Sequence, residues 1–455
     1  MVTLKMHPVS LALILMMISG AWGTPSHAEP TQNSTNSVLT LDGAIDEAMK
    51  NSPVIQQGEA VYNQSSWAQF QALGQGFLPK ISAGFSHYLS QTYQETAISF
   101  NGGPFLAFPG AFPTNILTVN ASMPIFNGLS NIYNLQAASL EKSAAQQDYE
   151  RTKFETAQEV KLAFYQALAA SRLNEVALQN VKTLEDHLKQ VEVQKQGGVA
   201  TNYDTLRVSV QLSEGKSDLI DAEDNAVLAR KKLNTLLGIE ADDRALQGVL
   251  PVPEPSKAQS VEFTGVPKDR TDLDALELRA RAADKTRSAQ NSWFIPAVSI
   301  LGQYNYYEVM NENTGDGSVV ASGSYKPAYS VAVALTWNLF DGGVALAQSR
   351  QAKYQQVQAD KKSEQARLQV PYDLTYWKKR FLSNTDRYLT RKLDVERSEE
   401  SVRLAKLEEK AGTRTSTETL DAELDLFRSR AGVVNAQVNA LEAQIRLELA
   451  LGRTL

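Results

Sequence analysis

Cysteine is absent from all 455 residues, and histidine occurs four times. The chain can therefore build no disulfide, thiolate zinc site, iron–sulfur cluster or cysteine nucleophile. It also lacks the acyl anchor of a bacterial lipoprotein, which needs a cysteine. Two of the histidines, His7 and His27, fall in a leader described below, leaving His87 and His187 far apart in sequence. No cofactor and no metal site are expected from so thin a set. An excess of basic residues is missing too: the formal net charge is −6, with no footprint for nucleic acid. No run of eighteen apolar residues exists, so no transmembrane helix is expected. With no nucleophile–base pair, phosphate loop or metal cluster, the sequence reads as that of a protein that is not an enzyme.

What is present begins with a leader. Lys5 precedes the uncharged stretch 8–23, whose core, 9–17, is strongly apolar, and Ser26-His27-Ala28 puts small residues at the −3 and −1 positions of a cleavage site. That is a secretory signal peptide over 1–28, with an apolar run shorter than the ~20 residues that span a bilayer. The polar stretch 29–37 is expected to be disordered.

The remainder is a duplication. Phe126-Asn127-Gly128 recurs as Phe340-Asp341-Gly342, Gly198 as Gly412, Leu206 as Leu420, and Leu233, Leu237 and Gly238 as Leu447, Leu451 and Gly452, each at an offset of 214 residues. The two repeats run over 38–245 and 271–455. A linker over 246–270, with prolines at 251, 253, 255 and 267, joins them.

Each repeat has one plan. The segment 129–196 contains neither glycine nor proline, and its counterpart 344–411 contains only Pro371. Leu173, Ala177, Val181, Leu184, Leu188 and Val191 recur every three or four residues, a coiled-coil-like stripe. A helix of that length would extend about 100 Å, beyond any compact domain. Pro371 is expected to break or kink the second one. A turn containing Gly198 or Gly412 follows, then a return helix over 200–237 or 414–451, too short to travel the whole way back. Glycine just past each return helix is the expected C-cap, and Asn127 and Asp341 are the expected N-caps of the long helices.

Ahead of each long helix the period changes. Ile81, Ala83, Phe85, His87 and Leu89 alternate with small or polar residues, as do Val331, Val333, Leu335, Trp337 and Leu339, and Tyr304, Tyr306 and Tyr307 enrich the neighbouring stretch. This is strand periodicity, nearly free of charge, with two strands within 79–126 and two within 296–340. The loop 101–113 between the first two is rich in glycine, proline and asparagine. Such strands fit a membrane β-barrel. Four strands cannot close one, and an open edge in lipid leaves backbone groups unpaired, so several chains must share a barrel. Two chains would supply eight strands and three would supply twelve. With the signal peptide, this points to the outer membrane of a Gram-negative bacterium. The fold class expected is mainly α with membrane β: a long α-helical coiled-coil barrel plus a shared β-barrel, four strands per chain, built as a tandem repeat.

Gly412-Thr413-Arg414-Thr415, followed by Glu418 and Leu420-Asp421-Ala422, lies at the turn of the second long hairpin. Gly198-Val199-Ala200-Thr201, followed by Asp204, lies at the turn of the first. In this setting the chain resembles the TolC-type outer-membrane efflux family, whose tip turn reads G-T-R-T-x-x-D-x-L-D-A. The resemblance implies a homotrimer with a twelve-stranded barrel and a tapered periplasmic tunnel closed at the helical tips. It implies passive export in partnership with a periplasmic adaptor (membrane fusion) protein and an inner-membrane RND or ABC transporter, as in drug-efflux pumps or type I secretion. Glu418 and Asp421 match the acidic positions that ring the pore constriction, with Glu418 standing where the family has Asp. Asp204 and Arg414 match members of the links that hold the tips closed. The family's tyrosine in that network is Glu409 here, which cannot donate as a phenol does, so the closing network is altered. The family's C-terminal extension has no counterpart after Gly452, and any contact made by that extension is expected to be missing.

Carboxylates at a helical turn, repeated around a threefold axis, would concentrate negative potential in a narrow mouth, favouring cations and allowing multivalent ones to block. The competing reading of Glu418 and Asp421 is two solvated helix-surface acids, and of Arg414 an exposed helix-start cation. His87 is expected in the barrel wall or lumen. His187, between Glu185, Asp186 and Lys189, is expected to be a solvated coiled-coil position. Trp337 suits an interfacial girdle, and Trp67 and Trp293 suit packing between helices near the barrel. A soluble periplasmic coiled-coil scaffold or adaptor is the alternative function; it accounts for the helices but not for the charge-poor strands.

Overall fold

The computed structural model describes residues 38–89, 99–100, 103–104, 115–256, 267–309, 323–324 and 327–455. The leader 1–28, the polar stretch 29–37, and most of the loop 101–113 and of the linker beyond residue 256 lie outside the described residues.

The first repeat contributes α1 (Leu41–Asn51), α2 (Pro53–Phe77), β1 (Lys80–His87), β2 (Asn115–Asn127), α3 (Ser130–Gln196) and α4 (Asn202–Leu237). The second contributes α5 (Thr271–Asn291), β3 (Ala297–Val309), β4 (Ala328–Thr336), α6 (Val344–Lys410) and α7 (Ser416–Leu451). The long helices α3 and α6 have 67 residues each, and the return helices α4 and α7 have 36 each. No described helix is long and apolar enough to cross a membrane.

Two short helices that sequence periodicity did not expose complete the length. The C-cap Gly238 of α4 abuts the α1–α2 junction so closely that a Cβ there would lie 2.5 Å from the Asn51 carbonyl oxygen. Gly452 at the end of α7 abuts the start of α5 in the same way, 2.4 Å from the Asp269 carbonyl oxygen. Both glycines hold left-handed φ values, 73° and 80°. Thus α2 continues the column that α4 begins, and α5 continues that of α7. In the half nearer the strands the helices pack in the order α2, α3, α5, α6; in the half nearer the hairpin turns the order is α4, α3, α7, α6.

The stripe expected on α3 is a core stripe: Ala177, Val181, Leu184 and Val191 are buried. At the junction of the two halves, Val160 and Phe164 of α3 pack with Leu233 and Leu237 of α4 and with Leu441 and Ile445 of α7, joining the repeats. The second repeat has its own cluster around Leu374, Phe381 and Leu447. Pro371 does not break α6. The helix runs through it because Val370 and Leu374 on either side are both buried in that cluster, which offsets the backbone bond that proline removes.

The four long strands form one antiparallel sheet in the order β1, β2, β3, β4, with a register irregularity at Pro124 to Phe126. Register brings rows of one kind together. Phe85, Leu117 and Tyr306 are neighbours, as are Ala83, Val119 and Tyr304, and Met123, Ile300 and Val333. On the other face Ser82, Asn120, Gln303 and Ser330 form one row. One face is therefore mainly apolar and the other mainly small and polar, with Ile116, Leu301 and Tyr307 as its large apolar members, the division a barrel wall between lipid and water requires. β1 and β4 are each paired on one side among the described residues. Strand structure ends at His87 and Thr336, so Leu89, Trp337 and Leu339 lie beyond it, where the chain leaves the sheet. The Trp337 indole donates to the Phe294 carbonyl at 3.1 Å. His87 closes the apolar row at its far end, bonded to Asn115 at 2.7 Å, and Asn115 donates to Glu308 at 3.1 Å. Trp67 does not pack between helices in this chain: it is 70% exposed on α2 beside Phe70.

Strand turns into helix through two consecutive left-handed residues, Gly128-Leu129 in the first repeat and Gly342-Gly343 in the second. The cap residues are thus Leu129 and Gly343, two positions after those expected. Asn127 and Asp341 still supply the capping oxygen from before the turn: Asn127 accepts from the Asn131 amide at 3.1 Å, and Asp341 from the Gly343 and Ala345 amides at 3.1 and 2.8 Å.

Candidate functional site at the helical tips

Each hairpin turn is a left-handed glycine, Gly198 or Gly412, followed by an N-cap threonine. Thr201 and Asp204 form a reciprocal capping box at the start of α4, and Thr415 and Glu418 form the same box at the start of α7. Thr413 bonds back to the Glu408 carbonyl at 3.0 Å, closing its turn. The caps hold both carboxyls below their ordinary range. For Asp204 the chief cause is the Thr201 hydroxyl, and for Glu418 it is the Thr415 amide, helped by the Thr415 hydroxyl and Arg414.

That direction fixes a pH dependence. A carboxyl with a depressed folded value contributes its stabilisation above its unfolded value, near 3.8 for Asp204 and 4.5 for Glu418, and loses it as the pH falls through the lower folded value. Acidification below about pH 4 is therefore expected to fray the first turns of α4 and α7 together, while the strand-proximal helices hold. Amide hydrogen exchange at 200–206 and 414–420 between pH 3 and pH 7, corrected for intrinsic rates, measures it; protection that does not weaken on acidification contradicts the capping role.

Between the hairpins the expected site residues find partners. Glu409 accepts from Gln194 at 3.1 Å, joining α6 to α3. Asp204 accepts from the Thr417 hydroxyl at 3.3 Å, joining α4 to α7. Asp421 pairs with Arg207 of α4 at 2.8 Å. Arg414 stays within its own hairpin, 3.2 Å from Glu408 and 4.0 Å from Glu418, and does not reach Asp204. Arg207 is the participant that motif reading missed. Its position was available, because residue 207 is the repeat counterpart of residue 421, at the same offset of 214. Glu418 and Asp421 keep roughly half their side-chain surface exposed despite these contacts.

His187 contradicts its expected place in solvent. It is 3% exposed, with Nδ1 3.1 Å from Oε2 of Glu423 and Nε2 2.9 Å from the Ser416 hydroxyl, both on α7. The neighbours Glu185 and Asp186 point elsewhere, to Lys216 at 3.2 Å and Lys189 at 3.6 Å. They form a charged face, with no paired-acid site. No cluster of metal-ligating side chains is present among the described residues.

The hairpin tips thus carry paired carboxylates, cations and cross-hairpin bonds at the end of a duplicated helical scaffold. The family described as outer membrane efflux protein matches residues 44–239 and 268–453, one match per repeat. The chain belongs to that family. This outer membrane efflux protein is 20% identical over 336 residues to outer membrane protein TolC of Vibrio cholerae serotype O1, covering 73% of this chain and 76% of the relative. Its fold is similar to that of the outer membrane protein VceC from Vibrio cholerae, with a TM-score of 0.70 at 19% identity over 91% of this chain and 96% of that one. It is equally similar to the Campylobacter jejuni CmeC outer membrane channel, with a TM-score of 0.71 at 14% identity over 90% and 85%. An outer membrane efflux protein is a channel and not an enzyme, and it resides in the Gram-negative outer membrane with its long helices in the periplasm. That membership leaves the soluble scaffold or adaptor reading without support.

Proposed function

We propose that three copies of this chain close into one tube, a twelve-stranded barrel continued by a helical tunnel, and that the tube is the passive exit duct of a tripartite efflux pump or type I secretion system. The observation that carries this reading is that the elements at both ends of the strand and helix order are partnered on one side among the described residues and expose apolar side chains. At one edge β1 lacks a second strand partner among the described residues, and α2 and α4 expose Val61, Tyr203, Leu206, Val210 and Ile220. At the other edge β4 is likewise paired on one side only, and α6 exposes Tyr354, Leu368, Leu389, Leu393 and Leu407. Joining unlike edges head to tail closes a ring. The apolar sheet face then meets outer-membrane lipid, and the polar face lines the lumen. The partners in this reading are a periplasmic adaptor (membrane fusion) protein at the tips and an inner-membrane RND or ABC transporter that supplies the energy. Nucleic acid has no place in it.

The periplasmic tips act as the gate. Glu418 and Asp421, three residues apart on the first turns of α7, ring the constriction, with Gly198, Gly412 and Thr413 shaping the turns. Asp204 and Glu409 hold the hairpins together across α4/α7 and α3/α6, and Arg414 fixes Glu418 from within its hairpin. A ring of six such carboxylates would draw multivalent cations into the mouth. Glu418→Gln with Asp421→Asn, which removes both charges and keeps a capping box on α7, is expected to raise the half-blocking concentration of a trivalent cation by about tenfold or more in a planar bilayer. Arg207→Ala, which frees Asp421 from its counter-ion, should lower it. Wild-type channels that conduct, with block indifferent to both changes, would place the constriction elsewhere. Absence of conductance, or a monomer by mass in detergent, would overturn the duct itself.

A further inference from the structure

The links between the hairpins just described are exposed or only partly buried, and one other contact is buried on both sides. Glu423 of α7 is 5% exposed and His187 of α3 is 3% exposed, among the lowest values of any ionisable groups near the tips. The Glu423 carboxylate receives Lys406 of α6 at 2.7 Å on one oxygen and faces Nδ1 of His187 at 3.1 Å on the other. The Nδ1–Oε2 approach is an ion-pair contact without hydrogen-bond alignment, and Nε2 lies 2.9 Å from the Ser416 hydroxyl. Three helices from two hairpins therefore converge on one carboxylate. Burial pushes the Glu423 carboxyl up, yet the bonds from His187 and Lys406 outweigh it, and the net direction is down. The level matters as much as the burial. Ser416 and Glu423 lie two helical turns apart on α7 and bracket Glu418, Leu420 and Asp421. Leu420 is fully buried against Leu184, Val191 and Val208.

We propose that Glu423 is the positioning residue of the tip gate: its buried carboxylate, shared between His187 and Lys406, sets how the two hairpins meet at the constriction. This rests on the duct reading above. For α3 to part from α7, the His187 ring must leave its seat between Ser416 and Glu423. The carboxylate then keeps Lys406 as its only ion-pair partner among the described residues, and Lys406 belongs to the same hairpin as Glu423. Parting the hairpins thus breaks a contact made away from water, where attraction is stronger than between exposed charges, and that loss is the penalty of opening. It is also a penalty that salt screens weakly, whereas the Arg207–Asp421 pair at the surface is screened by it.

The test is the opening frequency of purified trimers in a planar bilayer, at low and high ionic strength, with trimer content and helicity checked on the same samples. Glu423→Gln keeps the shape and removes the charge. It is expected to open at least fivefold more often than wild type and to become salt-sensitive, because the surface Arg207–Asp421 pair then carries more of the hold. Lys406→Met, at a half-exposed side chain, should move opening in the same direction and add little in the Glu423→Gln background, since both act through one carboxylate. If Glu423→Gln prevents assembly, Lys406→Met alone decides. Conducting wild-type channels whose opening is unchanged by either substitution, or effects that multiply independently, would overturn the positioning role while leaving the duct intact. A wild type that never conducts would instead remove the duct and this proposal with it.

Discussion

Aspartate at Leu206 and Val210 together should leave the purified chain monomeric. Both side chains sit on α4, 65% and 55% exposed in the single chain, and Tyr203 continues their row at 69%. Facing solvent, such a row would be an aggregation hazard. Facing the α6 edge of a neighbour, where Leu389, Leu393, Leu404 and Leu407 are also exposed, it becomes a helix–helix seam. Covering each large apolar side chain stabilises the seam by about 1.5–3 kcal/mol. Two aspartates remove that contribution and bury unpaired charge, which costs several kcal/mol more. A closed ring repeats the loss at all three seams. Light scattering on detergent-solubilised protein should find the trimer depleted by at least about tenfold. Circular dichroism should find helicity unchanged, because these side chains belong to no core cluster of their own chain. A trimer that survives both substitutions would mean that the seam lies on other faces.

Much of this architecture was legible from repetition and period. The 214-residue offset fixed the two hairpins, and the long-helix bounds fell within a residue or two of the observed α3 and α6. What escaped did so for physical reasons. α2 carries Gly58, Gly74 and Gly76 and a single acid, Glu59, so neither helix propensity nor a charged face marked it. Its packing against α3 overrides that weak propensity. His187 was misplaced because its chain neighbours are charged. On a helix the relevant neighbours are three and four residues away, and there Leu184 and Val191 are both buried. The caps at Asn127 and Asp341 were right in chemistry and wrong by two positions, because Leu129 takes a left-handed conformation that a leucine rarely adopts. At the tips, the motif named the carboxylates but not their partners. Thr201 and Thr415 were visible as capping-box residues, and Arg207 was visible through the repeat.

The second large effect concerns those partners. Gln194→Ala, Arg207→Ala and Thr417→Ala combined should turn a rarely opening channel into one that opens often. The choice of residue on each link matters. Asp204→Ala would also remove the cap of α4, and Glu418→Ala that of α7, confounding gate loss with fraying. Thr417, Gln194 and Arg207 contribute only the cross-hairpin bonds. A side-chain hydrogen bond stabilises by about 0.5–1.5 kcal/mol and an exposed ion pair by at most about 1 kcal/mol. Three losses per protomer therefore come to roughly 2–3 kcal/mol. Since about 1.4 kcal/mol is a tenfold change in an equilibrium, the open fraction should rise by at least about tenfold for each hairpin pair, and by more if the three protomers open together. Hydrogen exchange should rise at the turns and stay low at Leu374 and Phe381, in the core midway along α6. An opening frequency unchanged in the triple variant, with Glu423 intact, would mean that these three bonds only decorate the tip and that the hold lies in the buried carboxylate.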